Sequence, residues 1–173
     1  PKVLAAVRKC LKDKDVSVRR AAGAALAARR DRLSVPALRE FMAKAKGPED
    51  IRIALGAINA IEGPMSAWLR ELGGYTTHED RDVRNAAMEV LRDARDKRQI
   101  EPLMVALEHA DWSTRLLAIQ AMAGLKQATP VGKLVERMGV ETGRMKKQLA
   151  EALWELTAKP FGEDEDKWSQ WWK

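Results

Sequence analysis

Cysteine, aromatic residues and long apolar runs are all scarce in this chain, and each scarcity excludes a class of protein. The single cysteine, Cys10, excludes a disulfide framework within the chain and a cysteine-rich zinc site. No apolar run approaches the roughly 18 residues needed to cross a bilayer, so we expect no membrane association. With one Tyr and two Phe among many alanines and leucines, the composition favours helices over strands.

Recognisable catalytic motifs are lacking as well. His78 and His109 do not have the spacing of metal ligands, and no glycine-rich phosphate loop occurs. Cys10 lies in an apolar helical pattern, which predicts an inert thiol in the core. We therefore expect no catalytic residue, no metal and no cofactor, and a protein that is not an enzyme.

Positive charge is concentrated in one part of the chain. Residues 1–46 contain 13 Lys and Arg against 4 Asp and Glu, whereas residues 47–173 contain 18 against 21. A basic segment of this kind permits binding to an anionic partner, although helical proteins often carry such charge on solvated faces.

A repeat with two helices per unit runs through the sequence. Five similar stretches each place a basic residue early in a predicted helix, and the intervals between these residues are 33, 32, 31 and 31. The basic residues are Arg19, Arg52, Arg84, Arg115 and Lys146. Apolar positions follow at helical spacing, which predicts one buried face per helix.

Polar and proline residues mark where the helices begin. N-cap residues precede the basic position by four residues, at Asp15, Asp80, Asp111 and Thr142. Prolines mark the start of the other helix of a unit, at Pro36, Pro64, Pro102 and Pro130. The resulting units cover approximately 1–31, 32–62, 63–97, 98–126 and 127–159. We interpret the long connection between Gly73 and Asp80 as a tolerated insertion.

This pattern resembles the HEAT-repeat family in its short bacterial form. The residues that carry the resemblance are Asp15, Val18, Arg19 and Ala22, together with the matching set Asp80, Val83, Arg84 and Ala87. The resemblance implies an all-α, right-handed α-α solenoid of about five helix pairs. It also implies a structural ladder between neighbouring units, formed by Asp15, Arg19, Arg52, Asp80, Arg84, Asp111 and Arg115.

The last segment, residues 160–173, is rich in tryptophan. Asp164 is predicted to begin a short helix on which Trp168, Trp171 and Trp172 share one face. The open end of a solenoid leaves apolar surface to be covered, so we expect this helix to be a C-terminal cap. The segment also resembles the endings of bacterial HEAT-repeat proteins. Binding of a partner by the same rings is the alternative.

Two functions remain open at this point. The first is a non-catalytic scaffold that binds a protein or peptide, with candidate binding residues on the exposed side of the repeat helices at Arg20, Asn85, Gln120 and Glu151. The second is nucleic-acid binding through the basic N-terminal units, including Arg29 and Arg30. A DNA glycosylase on a HEAT-like fold is the least favoured alternative, because we cannot match the catalytic residues of such enzymes to residues of this sequence.

The chain begins with Pro1 instead of methionine, which we interpret as the start of a fragment or of a processed product. The sequence therefore leaves the compartment open between cytoplasm and export. It also leaves the oligomeric state and the identity of the partner open.

Overall fold

The computed structural model describes residues 2–63 and 69–173, which form eleven α-helices and no strand. In chain order the helices are α1 (Lys2–Cys10), α2 (Val16–Ala28), α3 (Val35–Ala43), α4 (Pro48–Glu62), α5 (Leu69–Leu72), α6 (Arg81–Ala94), α7 (Ile100–Leu107), α8 (Trp112–Gly124), α9 (Val131–Met138), α10 (Gly143–Thr157) and α11 (Glu165–Trp172). Short 3-10 helices cover Arg32–Ser34, Gly73–Thr77 and Lys97–Gln99. Pro64, which was predicted to begin a helix, lies outside the described residues.

The helices pack as a solenoid of pairs, which confirms the predicted fold class. Each of α2, α4, α6, α8 and α10 contacts the next one along the chain, so that together they form a continuous layer, the second-helix row. The first helices α1, α3, α7 and α9 each pack on the second helix of their own unit. Direct contact within the pairs α1–α3 and α7–α9 is slight. Since the second helices lie closer together, their row is the inner, concave layer.

Aspartates begin most of the second helices, as predicted. The carboxylates of Asp15, Asp80 and Asp111 accept hydrogen bonds from backbone N–H groups of the first turn at 2.8–3.1 Å. Asp164 does the same for α11, where it accepts from the N–H of Lys167 at 3.1 Å. The expectation for Thr142 is wrong in part, because Thr142 precedes α10 but its side chain makes no capping bond.

A second capping contact repeats along the chain and was not foreseen. The residue two positions before the aspartate turns its side chain back onto the N–H of that aspartate. Asp13 accepts this bond at 2.8 Å, and Nδ1 of His78 and of His109 accepts it at 3.0 Å. Each of these side chains thus supports the start of a second helix.

The second helices end in a left-handed residue. Positive φ angles of 46–75° occur at Arg30, Gly63, Arg95, Lys126 and Ala158, close after the ends of α2, α4, α6, α8 and α10. Glycine occupies only one of these five positions. An L-residue with a Cβ is strained in this conformation, whereas glycine is not.

Replacing Ala158 by glycine is therefore expected to stabilise the protein. Relief of the strain at φ 57° should raise the free energy of unfolding by about 0.5–1 kcal/mol. Thermal denaturation should show a melting temperature that is higher by about 1–4 °C. The control is Ala21→Gly on the exposed face of α2, which should lower stability by about 1 kcal/mol. If Ala158→Gly were as destabilising as this control, the interpretation that the backbone of Ala158 is strained would be wrong.

Three arginines of the second helices share one set of contacts. Nη1 of Arg19, Arg84 and Arg115 donates to two backbone carbonyls of the preceding turn, five and six residues earlier, at 2.8–3.0 Å. The rest of each guanidinium reaches the next unit. Arg19 pairs there with Asp50 and Arg115 with Glu141, at 2.7 and 2.8 Å.

Arg84 makes the fullest version of this contact. Its Nη2 lies 2.7 Å from Oδ2 of Asp111, and its Nε donates to the hydroxyl of Thr114 at 3.0 Å. Its side chain is 6% exposed. Each of these arginines therefore joins its own turn to the following helix pair.

The predicted ladder residues do not all meet. Among the aspartates named from the sequence, Asp111 is the one that pairs with a ladder arginine of the preceding unit. Asp15 and Asp80 bond the first turn of their own helices. Arg52 is 39% exposed and pairs with Glu49 and Asp82, each at 3.0 Å.

The ends of the solenoid differ in how well they are covered. Helix α1 has no fully buried residue, and Val18 on α2 is exposed even though its repeat equivalent Val83 is buried. Cys10 was predicted to be in the core, but it is only half-buried at the end of α1. Within the described residues α1 packs chiefly on α2, so the rest of its surface is exposed.

The C-terminal segment folds back onto the last unit. Helix α11 packs on α9, and the ring of Trp168 is fully buried in the core. Its indole Nε1 donates to the carbonyl of Gly162 at 2.8 Å, and its ring meets that of Phe161 edge to face at 4.9 Å. Trp171 and Trp172 remain 37% and 47% exposed.

The connection from Gly73 to Thr77 is a packed element of the fold. It forms a 3-10 helix that contacts α6 and α7, with Thr76 fully buried. Tyr75 is half-buried against the core, and desolvation, followed by the charge of Glu71, raises the pKa of its hydroxyl. Packing of this kind gives the connection a structural role.

Candidate interaction surface

The concave layer presents two chemically different halves. The N-terminal half, on α2, α4 and α6, carries a chain of ion pairs. Arg20 bonds Glu49 at 2.7–2.9 Å, Glu49 contacts Arg52 at 3.0 Å, and Arg52 contacts Asp82 at 3.0 Å. These charges are already satisfied by one another, which leaves little net charge to attract a ligand.

Polar residues predicted from the sequence lie further along the same layer. Asn85 on α6 is half-buried, whereas Glu151 on α10 is exposed. Nε2 of Gln120 donates to Gln148 at 3.2 Å, and Gln148 donates in turn to Glu151 at 2.5 Å. The structure thus joins Gln120 and Glu151 in one network and leaves Arg20 and Asn85 in other units.

The C-terminal half of the layer exposes two large aromatic rings. Trp112 begins α8 and is 52% exposed, while Trp154 near the end of α10 is 58% exposed. On α10, Arg144, Lys147 and Glu151 are also exposed and precede Trp154 at intervals of three and four residues, so all four share one face. We call this face, together with Trp112 and Leu116 of α8, the tryptophan surface.

Two clefts flank α10 on this surface. One has a volume of about 250 Å³ and is lined by Trp112 and Leu116 of α8 and by Arg144 and Met145 of α10. The other has a volume of about 440 Å³ and lies between Trp154 and Pro160. Clefts of this size accept single side chains of a partner.

The carboxylate at the first cleft is held in place by two arginines. Glu141 receives a hydrogen bond from Arg115 at 2.8 Å and another from Arg137. Burial raises the pKa of Glu141, but the bonds from Arg137 and Arg115 outweigh this effect, and the pKa is lowered overall. The carboxylate is therefore ionised and engaged, and it supports the wall of the cleft.

The basic residues proposed for nucleic acid lie at the other end of the molecule. Arg29 and Arg30 are exposed after the end of α2, and neither pairs with a carboxylate of residues 2–63 or 69–173. Cations at this place also complement the negative end of the helix dipole. They do not adjoin the tryptophan surface.

Metal binding finds no support in the part of the chain that the structure describes. No group of three or more His, Cys, Asp or Glu side chains there could hold a metal ion. Likewise, none of the described helices is both long and apolar enough to cross a membrane.

Sequence reasoning missed Trp112 and Trp154, although a signal was present. Trp154 lies outside the buried residues of α10, which include Met145, Leu149 and Leu153. Trp112 directly follows an N-cap aspartate, and the repeat equivalents Val16 and Arg81 are exposed as well. Assigning each tryptophan to its helix face would have placed both in solvent.

Comparison with known proteins supports the repeat architecture. The family model described as HEAT repeats matches residues 69–154, about half of the chain. No curated protein matches the sequence.

Proposed function

Because the chain belongs to the HEAT-repeat family, whose repeats commonly serve as protein-interaction scaffolds, we propose that it binds a protein or peptide partner through the tryptophan surface. HEAT repeats are typically non-catalytic, and we propose the same for this chain. Trp112, Leu116 and Trp154 would supply the apolar contacts, and Arg144, Lys147 and Glu151 the polar rim.

The observation that carries this proposal is the exposure of two tryptophans on adjacent concave helices. Tryptophan, with tyrosine and arginine, is enriched among the contacts that dominate binding energy. Aromatic residues with charged residues beside them are also common in protein interfaces.

The charged residues beside Trp112 and Trp154 indicate which kind of partner the surface would bind. Arg144 and Lys147 are basic, whereas Glu151 and the cleft residue Glu163 are acidic. A partner of mixed charge with one or two large apolar side chains would match this arrangement. A polyanion would meet carboxylates at the cleft beside Trp154.

Nucleic-acid binding, the alternative from the sequence, receives less support from the geometry. Arg8, Arg19 and Arg20, three of the 13 basic residues in residues 1–46, are each paired with a carboxylate within the fold. A gel shift at low salt tests this alternative, since phosphate contacts give binding that weakens steeply with salt.

The test of the proposed scaffold compares matched variants in affinity capture from the native organism, with proteins quantified by mass spectrometry. Replacing Trp112 and Trp154 together by alanine should weaken capture of the partner by about 30-fold or more, since the loss of even one hot-spot ring costs about 2 kcal/mol or more. Because both rings are exposed, stability should change by less than about 0.5 kcal/mol.

The control is Val105→Ala on α7, which removes an exposed apolar side chain from the outer layer. Capture by this variant should match that by the unmodified chain. If the double tryptophan variant captures the same proteins in the same amounts, the tryptophan surface is not the binding site.

A further inference from the structure

A cavity of about 250 Å³ lies at the turns of the first two units, separate from the tryptophan surface. It opens between α1 and α3, and the turns that lead into α2 and α4 contribute to its walls. Its volume suits a small molecule or a single side chain.

Part of the wall of this cavity is apolar. Leu11 is buried at 2% exposure, and Ala37 and Phe41 of α3 are half-buried against the core. These three residues offer carbon surface to whatever enters, including the ring of Phe41. A ligand with an apolar body would therefore gain from entering it.

The arginines in the walls are already occupied. Arg8 donates to Asp31 and to Ser34, and Arg19 donates to Asp50 and to backbone carbonyls. Both guanidinium groups are mostly buried in these contacts. They shape the cavity but have few donors left for a ligand.

Lysines at the rim provide the available charge. The ammonium groups of Lys12 and Lys44 both contact one oxygen, Oε1 of Glu40, at 3.6 and 2.9 Å. Lys46 is exposed at the same rim and has no carboxylate partner among the described residues. Of the two other carboxylates in the lining, Asp13 is engaged by the N–H of Asp15 at 2.8 Å and Asp50 by Arg19 at 2.7 Å.

The lysines of the rim stabilise the negative charge of Glu40. The hydrogen bond from Lys44, with the charges of Lys12 and Lys44, lowers the pKa of Glu40. Its carboxylate is 45% exposed, so it is accessible to displacement or to a second anion placed beside it.

We propose that this cavity binds a small organic anion, with its carboxylate or phosphate at Lys12, Lys44 and Lys46 and its apolar body against Leu11 and Phe41. The lysine amines donate hydrogen bonds to the anionic group, and the apolar interior selects against simple inorganic ions. Glu40 competes with the ligand for the same two ammonium groups.

Isothermal titration calorimetry with phenyl phosphate and with inorganic phosphate tests the proposal on the full chain. Phenyl phosphate should bind about tenfold or more tightly than inorganic phosphate, because burial of its ring adds to the ionic contact. Equal affinity for the two probes would overturn the proposal.

Three variants then locate the site. Lys12→Gln with Lys44→Gln should weaken phenyl phosphate binding by about tenfold, whereas Glu40→Gln should strengthen it, because the internal competitor loses its charge. The control pair Lys9→Gln and Lys126→Gln removes the same charge from exposed residues outside the cavity and should leave the affinity within about twofold.

Two further outcomes would refute the site. An equal loss of affinity in the control pair would show that phenyl phosphate responds only to net charge. Weaker binding by Glu40→Gln would show that Glu40 does not compete with the ligand. None of these results depends on whether the tryptophan surface binds a protein, so the two proposals fail independently.

Discussion

Deletion of residues 161–173 is expected to lower the melting temperature by more than about 10 °C. The deleted segment includes Trp168, whose ring is fully buried, and removal of a buried tryptophan side chain alone costs about 3–5 kcal/mol. In a protein of this size, each kcal/mol corresponds to about 2–4 °C in the melting temperature. The measurement is thermal denaturation followed by circular dichroism at the helical wavelength.

The structure explains why the loss should be large. Helix α11 packs on α9, and Trp172 lies so close to Gly132 that a Cβ at this glycine would be 2.8 Å from the indole Nε1. Nζ of Lys146 lies 2.7 Å from Oε2 of Glu165. Lys146 occupies the repeat position of Arg115, so its ion pair with Glu165 corresponds to the contact between Arg115 and Glu141.

A point substitution tests whether the loss of stability comes from the buried ring of Trp168 or from removal of the whole segment. Trp168→Ala should reproduce most of the loss, whereas Trp154→Ala, which removes the same side chain from an exposed position on α10, should change stability by less than about 0.5 kcal/mol. If the deletion leaves the melting temperature unchanged, the tryptophans of α11 must be assigned to partner binding instead.

Substitution of Arg84 by methionine is expected to destabilise the protein by about 3–5 kcal/mol. The guanidinium is buried and satisfies the carboxylate of Asp111, the hydroxyl of Thr114 and the carbonyls of His78 and Glu79. Methionine fills much of the volume but leaves these acceptors without their donors. Urea denaturation with matched slopes would measure the difference in the free energy of unfolding.

Arg52 provides the matched control, because it stands at the equivalent position of the second unit. Its side chain is 39% exposed and pairs only with carboxylates near the surface. Arg52→Met should therefore cost less than about 1 kcal/mol. If the arginine row served to bind phosphates instead, both substitutions would leave stability almost unchanged and would weaken binding to nucleic acid.

Much of the fold follows from local rules that act within a few residues. The spacing of Arg19, Arg52, Arg84 and Arg115, with apolar positions at helical intervals, predicts stacked helix pairs, and the structure confirms an all-α solenoid. Capping by Asp15, Asp80, Asp111 and Asp164 was also predictable, because a cap bonds backbone only two or three residues away.

Contacts between units were less accessible from the sequence. A guanidinium is long enough to reach several carboxylates of the next unit, so the sequence does not show which one it contacts. Arg19 pairs with Asp50 and Arg115 with Glu141, and neither carboxylate belongs to an N-cap residue. Which acceptor is used depends on the offset between packed helices, and that offset is not encoded in the repeat spacing.

The candidate surfaces were the least predictable part. Gln120 and Glu151 were candidate binding residues from the sequence, and only the structure shows that Gln148 links them. Trp112 and Trp154 were overlooked because composition alone does not separate buried from exposed tryptophan. The basic charge of residues 1–46 was apparent from the sequence, yet the pairing of Arg8 with Asp31 was not.

Periodicity, caps and charge are properties of short segments, so the amino-acid order alone was enough to establish a helical repeat with a tryptophan-rich end. Exposure, pairing and cavities arise where helices from different units meet. The relative placement of those helices decides that Trp168 is buried and Trp154 is exposed. It also decides that Arg84 pairs with Asp111 and that the lysine-rimmed cavity is enclosed, so only the tertiary structure reveals these features.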